Sequence, residues 1–391
     1  MTNPTETPTN AGSLKRTALH EWHVAQGGRM VDFAGWELPV FYELGAIEEH
    51  HATRRSVGLF DIDHMGQIEI AGVGAIAAID RLATSDMTTL GVGEAKYGLL
   101  CNEAGGVIDD IIVYRTAPEA VLVVVNAANR AGDLAWIQSH VDDAEATIVD
   151  RSSELAMIAV QGPNAIALIE AANSTNTSVA SLDRFTSTTI ELFGASAMVG
   201  RTGYTGEDGV ELYIDSSTSE NAAVDVWTGL LDLASTHNIE AVSVGLGARD
   251  SLRFEPGYPL YGHELALDIN PFEARLSWAV NLDDHAGDPK DFIGADALRS
   301  IKEAGVARRL ETLVMLDKGV PREGSMVLDQ DGNELGPVVA GMFAPTADVF
   351  AANAFIPREF GDVDQELVID IRGRTKTARV ARRPLYRLSD S

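Results

Sequence analysis

The sequence predicts an α+β protein made of two similar halves followed by a small β-barrel. Helix-forming stretches alternate with strands joined as hairpins, which is typical of α+β folds and not of a regular βαβ succession. This order of elements occurs twice before about residue 283, and short β-like runs dominate from residue 309 onward, as in small barrels. At 391 residues the chain is also too long for one ordinary core and suits two or three domains.

We therefore expect five segments along the chain. The first is a disordered leader, because it is polar and lacks the apolar stretch and early basic cluster of a signal peptide. The predicted segments are the leader (1–13), the first α+β half (14–150), the second α+β half (151–283), a linker (284–308) and the barrel (309–387).

Composition excludes several classes of function. The chain contains no run of about 18 or more apolar residues, so we expect no membrane span. The formal net charge of -28 argues against a broad nucleic-acid surface, because phosphate binding needs clustered positive charge. Cys101 is the only cysteine, which excludes a disulfide framework and a cysteine-rich metal site and fits a reducing cytoplasm.

The first half begins with two helices and two strands. Residues 14–26 and 45–56 predict helices, and residues 59–70 predict strands on either side of a break at Gly66, where His64 and Met65 could line a cavity. A helix at 75–82 and a strand at 97–101 then lead into the central stretch of the sequence.

The second predicted helix carries two acids and two histidines in one turn, Glu48 to His51. A metal site is conceivable there. A solvated polar face is the better interpretation, because adjacent histidines project about 100° apart on a helix and no zinc-protease pattern is present. The same interpretation applies to His20 and His23. We therefore expect no metal.

The central stretch, residues 105–114, places an acidic pair inside an apolar strand. Strand side chains alternate, so Asp110 shares a face with Tyr114 while Asp109 points the other way. The turn after this strand leads into a β-rich run that ends at Asn126, and a hairpin centred on Pro118 places Asn126 opposite Asp110. We expect Asp110, Asn126 and Tyr114 to form one cluster, either a structural hydrogen-bonded group or part of a functional site.

A helix at 127–140 and a strand at 146–150 complete the first half, and the second half repeats the construction. It has a strand at 155–161, a helix at 165–171 and one long strand at 188–199 that enters a glycine-rich hairpin. A hairpin centred between residues 207 and 208 places Tyr204 opposite Glu211. Two halves with matching phenol and acid pairs predict a cavity between them.

Two helices close the second half, at 222–235 and 245–254. Arg249 and Arg253 lie one turn apart on the latter, and an arginine fork suits a carboxylate or an amide-rich heterocycle. Pairing of these arginines with Asp250 or Glu255 is an equally good interpretation.

Six stretches together resemble the signatures of the glycine cleavage system T protein family, the tetrahydrofolate-dependent aminomethyltransferases. The resemblance runs from about residue 14 to residue 387, and the stretches are specific in combination although each alone is weak. They are residues 30–36 (MVDFAGW), 64–66 (HMG), 102–110 (NEAGGVIDD), 125–129 (VNAAN), 201–209 (RTGYTGEDG) and 245–250 (GLGARD).

The resemblance implies three domains in a cloverleaf around a central folate cavity, the two α+β halves being ferredoxin-like. It also implies transfer of an aminomethyl carbon from the lipoyl arm of the H protein to tetrahydrofolate, the co-substrate, which gives 5,10-methylene-tetrahydrofolate, ammonia and dihydrolipoyl H protein. Asp110 matches the catalytic aspartate of the family, and no metal is required. The positions implied to bind folate are Met65, Tyr97, Tyr114, Asn126, Tyr204, Glu211, Arg249 and Tyr258.

Two departures from the family pattern occur. Asp63 stands where the family usually has serine, and residues 339–349 lack a lysine that the family typically carries in its third domain. The second departure bears on the third domain and its docking to the H protein.

Two other classes resemble this fold. Folate-dependent demethylases or methyltransferases tend to lose the 204–209 loop and the 125–129 run, and both are present here. Non-enzymatic folate-binding proteins that assist iron–sulfur maturation carry a Lys-Gly-Cys-Tyr motif, and Cys101 has no such context. The aminomethyltransferase is therefore the expected function.

Overall fold

The computed structural model describes residues 14–142, 144, 146–217 and 219–388, so the predicted leader lies outside the described residues. No helix in this part of the chain is long and apolar enough to cross a membrane. The helices are α1 (His20–Ala25), α2 (Ala46–Arg55), α3 (Ala75–Leu82), α4 (Arg130–His140), α5 (Ala165–Ala172), α6 (Ala222–Thr236), α7 (Leu246–Phe254) and α8 (Ala295–Ala304).

The strands follow the hairpins predicted from the sequence in most places. Their bounds are β1 (Met30–Phe33), β2 (Trp36–Pro39), β3 (Val57–Asp61), β4 (Gly66–Ala71), β5 (Ala95–Cys101), β6 (Val107–Ala117), β7 (Ala120–Val125), β8 (Thr147–Asp150), β9 (Leu155–Gln161), β10 (Ser187–Leu192), β11 (Ala195–Gly200), β12 (Gly209–Asp215), β13 (Ala241–Val244), β14 (Arg308–Met315), β15 (Met326–Leu328), β16 (Glu334–Ala344), β17 (Val349–Pro357), β18 (Glu366–Asp370) and β19 (Thr375–Val380).

The first large sheet has five strands in the order β5-β6-β7-β4-β8, all antiparallel. The alternation of side chains sends one set of residues, including Ile111 and Val113 of β6, toward α3 and α4. The other set, including Ile112 and Tyr114, faces the second sheet. One face of the sheet is therefore a helix-covered core, and the other lies between the two sheets.

The second large sheet has six strands in the order β10-β11-β12-β9-β3-β13. Strand β13 runs parallel to β3, and the other pairs are antiparallel. Helices α5 and α6 cover its outer face, with Trp227 fully buried. On its inner face Phe60 and Tyr213 meet Tyr114 of the first sheet, and the Tyr114 and Tyr213 ring centroids lie 5.4 Å apart.

Strand β3 belongs by sequence to the predicted first half, yet it pairs with β9 of the second. All five of its residues are buried, so it needs neighbours on both edges and both faces, which the six-stranded sheet provides. The boundary at residue 150 therefore does not separate the two sheets along the chain. The division into two similar halves remains our proposal.

The C-terminal domain is a closed barrel in the order β14-β17-β16-β15-β18-β19, as the sequence predicts. Its interior is filled by small and branched residues such as Leu313, Ala352 and Ile369. Closure removes the free sheet edges. The mixed α+β class and the barrel are thus both confirmed.

Two element predictions were wrong, and one helix was not predicted. The single strand expected at 188–199 is the hairpin β10–β11, because Phe193 and Gly194 adopt positive φ angles of 50° and 85° and turn the chain. The linker at 284–308 contains a helix, α8, whose Leu298 is fully buried. The first helix is shorter than predicted, because α1 begins only at His20.

Candidate active site

A cavity of about 420 Å³ opens where the two large sheets meet. Its walls come from β5, β6 and the end of β7 on one side, and from β12, α7 and the loop at 201–208 on the other. The volume lies within the usual range for small-molecule sites. Of the nine residues predicted from the sequence, eight line it: Met65, Tyr97, Asp110, Asn126, Tyr204, Glu211, Arg249 and Tyr258.

Asp110 lies on the cavity wall with both carboxylate oxygens hydrogen-bonded. Asn126 Nδ2 donates to Oδ1 at 2.8 Å, and the Tyr97 hydroxyl donates to Oδ2 at 3.1 Å. Burial and the neighbouring charge of Asp109 raise the pKa of Asp110 to about 7, against these two hydrogen bonds, which lower it. Near neutral pH this carboxyl group can therefore take up or release a proton.

The phenol beside Asp110 is Tyr97 and not Tyr114. The prediction of Asn126 opposite Asp110 is confirmed by the β6–β7 register, which pairs Ile112 with Val124. Tyr114 does share a face with Asp110, but it is fully buried between the sheets. Tyr97 reaches Asp110 from β5, which pairs Leu99 with Asp110. The sequence pattern within one hairpin could not show a partner from the third strand.

Tyr114 lies behind the cavity wall and is linked to it by a chain of hydrogen-bonded hydroxyl groups. Its hydroxyl lies 2.6 Å from Thr202 Oγ1, and Thr202 Oγ1 donates to Glu211 Oε2 at 2.6 Å. Since the Thr202 hydroxyl has one proton and gives it to the carboxylate, Tyr114 must be the donor to Thr202. Burial raises the pKa of Glu211, while Thr202 and Arg249 act to lower it. The chain fixes the Glu211 carboxylate at the cavity surface.

The predicted pairing of Tyr204 with Glu211 was wrong. In the β11–β12 register Glu211 lies opposite Gly200, and residues 201–208 form a longer loop. Tyr204 instead stacks on Tyr258, with ring centroids 5.9 Å apart and planes at 21°, and its hydroxyl donates to the carbonyl of Pro259. The two rings form an aromatic wall of the cavity.

Of the two interpretations of Arg249 and Arg253, the arginine fork does not form, and pairing with Asp250 is confirmed for Arg253. Arg253 is buried and paired with Glu264 at 2.9 Å and with Asp250 at 2.8 Å. Arg249 lines the cavity alone, with its guanidinium carbon 5.0 Å from the Tyr204 ring centroid. The hydrogen bonds found within residues 14–142, 144, 146–217 and 219–388 include none from its guanidinium. Its donors are therefore available to a molecule in the cavity.

The residues that line the cavity beyond the predicted site include His64, Trp278 and Phe185. His64 is buried and its Nδ1 has no partner among the described residues, while burial and Arg249 lower its pKa to about 4, so the ring is neutral. Trp278 is 66% exposed at the cavity and stacks on Tyr97 at 5.2 Å. Phe185, at 42% exposure, also lies on its wall. His64 was predicted, together with Met65, as a residue that could line a cavity, and both do so, whereas no local pattern marks Trp278 or Phe185.

The polar turn of α2 is only partly solvated, contrary to the sequence interpretation, because Glu48 is exposed but the next two residues are not. Glu49 and His50 are fully buried. Glu49 accepts hydrogen bonds from the backbone of Tyr42 and Gly245, and His50 contacts Ser251 and Thr346. Among the residues that the structure describes, no group of histidines, cysteines and acids could hold a metal ion.

Comparison with known proteins places the chain in a family over nearly its whole length. Residues 19–284 match the model of the GCVT N-terminal domain, and residues 308–387 match that of the glycine cleavage T-protein C-terminal barrel domain. An aminomethyltransferase from Herpetosiphon aurantiacus is 41% identical, covering 96% of this chain and 99% of the relative. One from Symbiobacterium thermophilum is 42% identical, covering 96% and 98%.

A solved structure supports the same assignment. The crystal structure of glycine cleavage system aminomethyltransferase T from Bartonella henselae matches with a TM-score of 0.84 and 30% identity, covering 96% of this chain and 98% of that one. Fold and relatives together define an enzyme of the one-carbon transferase class, an aminomethyltransferase. The chain belongs to the glycine cleavage T-protein family.

Proposed function

We propose that the chain moves an aminomethyl carbon from the lipoyl arm of an H protein to tetrahydrofolate, giving 5,10-methylene-tetrahydrofolate and ammonia. The single observation that carries the proposal is Asp110, a carboxylate on the cavity wall whose oxygens are held by Asn126 and Tyr97. The family membership supplies the reaction class.

The cavity suits a pterin in both shape and chemistry. A pterin has an edge of hydrogen-bond donors and acceptors and two flat faces. Glu211 offers a carboxylate to such donors, and the guanidinium of Arg249, which lines the cavity, offers further polar contacts. The stacked rings of Tyr204 and Tyr258 offer an aromatic surface. We therefore assign Met65, Tyr97, Asn126 and these residues to folate binding, with Tyr114 acting through Thr202.

Asp110 acts on charge and proton position, not as a covalent nucleophile. As an anion it stabilises positive charge that develops on the reacting amine, and it can accept a proton from the acceptor nitrogen. Its two hydrogen bonds hold the carboxylate in one orientation, so that less reorganisation is needed during transfer. The pKa of about 7 places both protonation states within reach at neutral pH.

The test compares wild type with Asp110→Asn, which keeps the shape and removes the charge. Calorimetry should show tetrahydrofolate binding within about tenfold of wild type. The rate of transfer from the aminomethyl-loaded H protein should fall at least about a hundredfold. The formation of ammonia and methylene-tetrahydrofolate measures this rate. The matched control is Asp296→Asn, because the Asp296 side chain is fully exposed on α8.

Three outcomes would contradict the proposal. Equal transfer rates for wild type and Asp110→Asn would remove the catalytic role of Asp110. Absence of folate binding by the wild type would remove the cofactor assignment. Turnover only with a methylated sulfur compound, included as a control donor, would move the protein to the demethylase class.

A further inference from the structure

Behind Asp110, on the helix-facing side of the first sheet, two more carboxyl groups lie buried together. Asp109 of β6 and Asp133 of α4 both have no exposed surface, and neither lines the cavity. Asp133 lies one helical turn after Asn129, whose Nδ2 donates to Asp109 Oδ1 at 2.7 Å, so the two acids share the same buried site. The mechanism described above uses neither of them.

The two carboxyl groups differ in their hydrogen-bond donors. Asp109 Oδ2 accepts from the backbone N–H of Asn126 at 2.9 Å, and its Oδ1 accepts from Asn126 Nδ2 at 2.8 Å and Asn129 Nδ2 at 2.7 Å. Neither oxygen of Asp133 has an N–H or O–H donor among the described residues. Three donors stabilise a carboxylate at Asp109, whereas no described hydrogen-bond donor reaches Asp133.

Two buried carboxylates in contact cannot both be ionised, but one proton between them satisfies both. We propose that Asp133 carries that proton and donates it in a hydrogen bond to Asp109, so that the pair holds a single negative charge behind Asp110 and acts as a positioning element for its ionisation. This inference rests on the proposed role of Asp110 in transfer.

Asn126 connects the pair to the cavity. Its Nδ2 atom lies 2.8 Å from Asp109 Oδ1 and also 2.8 Å from Asp110 Oδ1, so these two oxygens are at most about 6 Å apart. A charge at that distance in a buried site opposes ionisation of its neighbour. The pKa values of the neighbouring acids are raised, as this repulsion requires. Burial and the charge of Asp109 raise the pKa of Asp110 to about 7 and the pKa of Asp133 to about 10.

The other titratable groups that face this cluster are neutral near pH 7. Tyr97 of β5 faces Asp110, and burial raises its pKa well above the usual value. Tyr204 faces Asp110 from the 201–208 loop, and its pKa is raised mainly by burial. Tyr261 faces Asp109 and Asp133, and burial and these acids raise its pKa. Burial is the largest cause of the raised pKa of Asp110, and the charge of the pair is the next.

The first experiment observes the proton without turnover. Infrared spectra of protein labelled with ¹³C-aspartate, recorded at about pH 8.5 where Asp110 is ionised, should contain the carbonyl band of a neutral carboxylic acid. That band should be absent from Asp133→Asn and present in Asp296→Asn. A wild-type spectrum without the band, or a band that persists in Asp133→Asn, would overturn the inference whether or not the proposed reaction is correct.

The second experiment measures the effect on Asp110. The double variant Asp109→Asn with Asp133→Asn removes the negative charge and keeps the shape. The acidic limb of its rate profile should move to lower pH by at least about one unit, because Asp110 then ionises more easily. In the single variant Asp133→Asn the new amide still donates a hydrogen bond to Asp109, which stays charged. The acidic limb of its rate profile should therefore lie within about 0.3 pH units of the wild-type limb. An acidic limb at the wild-type pH in the double variant would overturn the inference. If the double variant does not fold, the infrared spectra of the first experiment test the inference by themselves.

Discussion

At the scale of single residues, the cavity combines buried carboxylates with neutral hydrogen-bond donors. Asp110 and Glu211 both have raised pKa values because burial disfavours their charged forms. Their donors are the amide of Asn126 and the hydroxyls of Tyr97 and Thr202. Neutral donors hold a carboxylate in place and leave its charge largely uncompensated for a ligand.

Glu211 provides the prediction at this scale. Glu211→Ala should weaken tetrahydrofolate binding by roughly 2 to 3 kcal/mol, because ligand donors then lose their partner in a buried site. Calorimetry on the folded variant measures this. Tyr114→Phe is the matched control, since it removes the donor to Thr202 without touching the cavity, and should cost about 1 kcal/mol. Wild-type affinity in Glu211→Ala would contradict the assignment of Glu211.

At the scale of elements, β6 carries Asp110, the carboxylate that we propose to be catalytic, and a close backbone approach fixes the start of this strand. The register shifts between Leu100 and Cys101 of β5, where Asp109 and Val107 are the successive partners. Gly106 precedes the strand. A Cβ there would meet the carbonyl oxygen of Leu267 at 1.8 Å, which no side-chain movement relieves. A glycine is therefore required where β6 begins.

We expect Gly106→Ala to destabilise the protein by at least about 2 kcal/mol through this clash. Thermal or urea unfolding measures the loss, and transfer activity should also fall because β6 positions Asp110. Gly132→Ala on α4 is the matched control. Nothing lies within 4 Å of its added Cβ, so stability should stay the same or rise by up to about 1 kcal/mol. Equal stability of the two variants would contradict this prediction, because the backbone at residue 267 would then move at no cost in free energy.

At the scale of the whole molecule, a buried ionic network joins the barrel to the two-sheet body. Arg54 of α2 pairs with Glu207 and with Glu255, each at 3.0 Å. His50 Nε2 lies 3.3 Å from Glu255 and 2.7 Å from Thr346 Oγ1. Thr346 belongs to the stretch that departs from the family pattern, and its backbone N–H donates to Glu255 at 2.6 Å. The divergent segment is therefore part of the contact between domains.

Glu255 makes the stability of this contact depend on pH in the acid range. Burial alone would raise its pKa, but His50, Thr346 and Arg54 hold the pKa at about 2, below the ordinary 4.5. A lowered pKa means stabilisation that is complete above about pH 4.5 and is lost as the pH falls toward 2, at most roughly 3 kcal/mol. His50, whose pKa burial lowers, adds a loss in the same direction below pH 6.5.

The free energy of unfolding, measured between pH 7 and pH 2, should show this loss. In Glu255→Gln the free energy of unfolding should depend less on pH between about pH 4.5 and pH 2. Glu48→Gln is the control, because that carboxylate is 47% exposed and its ion pair with Arg55 should contribute less than about 1 kcal/mol. Unchanged curvature in Glu255→Gln would contradict the role of this network.

The net charge of -28 provides a second prediction for the whole molecule. Added salt should raise the melting temperature, because it screens repulsion among the excess surface acids. A melting curve recorded from low to near-molar sodium chloride measures this. A flat or falling melting temperature would indicate that the acidic bias is a matter of composition with little effect on stability.

Local sequence determined the features that depend on periodicity and on neighbouring residues. The period of two along β6 separated Asp110 from Asp109, and the short turn before β7 placed Asn126 beside Asp110. The motif combination indicated the family and eight of the cavity residues. These features need no information about distant parts of the chain.

Only the tertiary structure decided the features that depend on which distant segments meet. It placed Tyr97 and not Tyr114 at Asp110, joined β3 to β9, and paired Arg253 with Glu264. It also brought Asp133 of α4 into the buried site of Asp109. The physical reason is that a sequence pattern specifies which face of an element is buried, whereas the partner and register across that face are selected by packing between residues far apart in the chain.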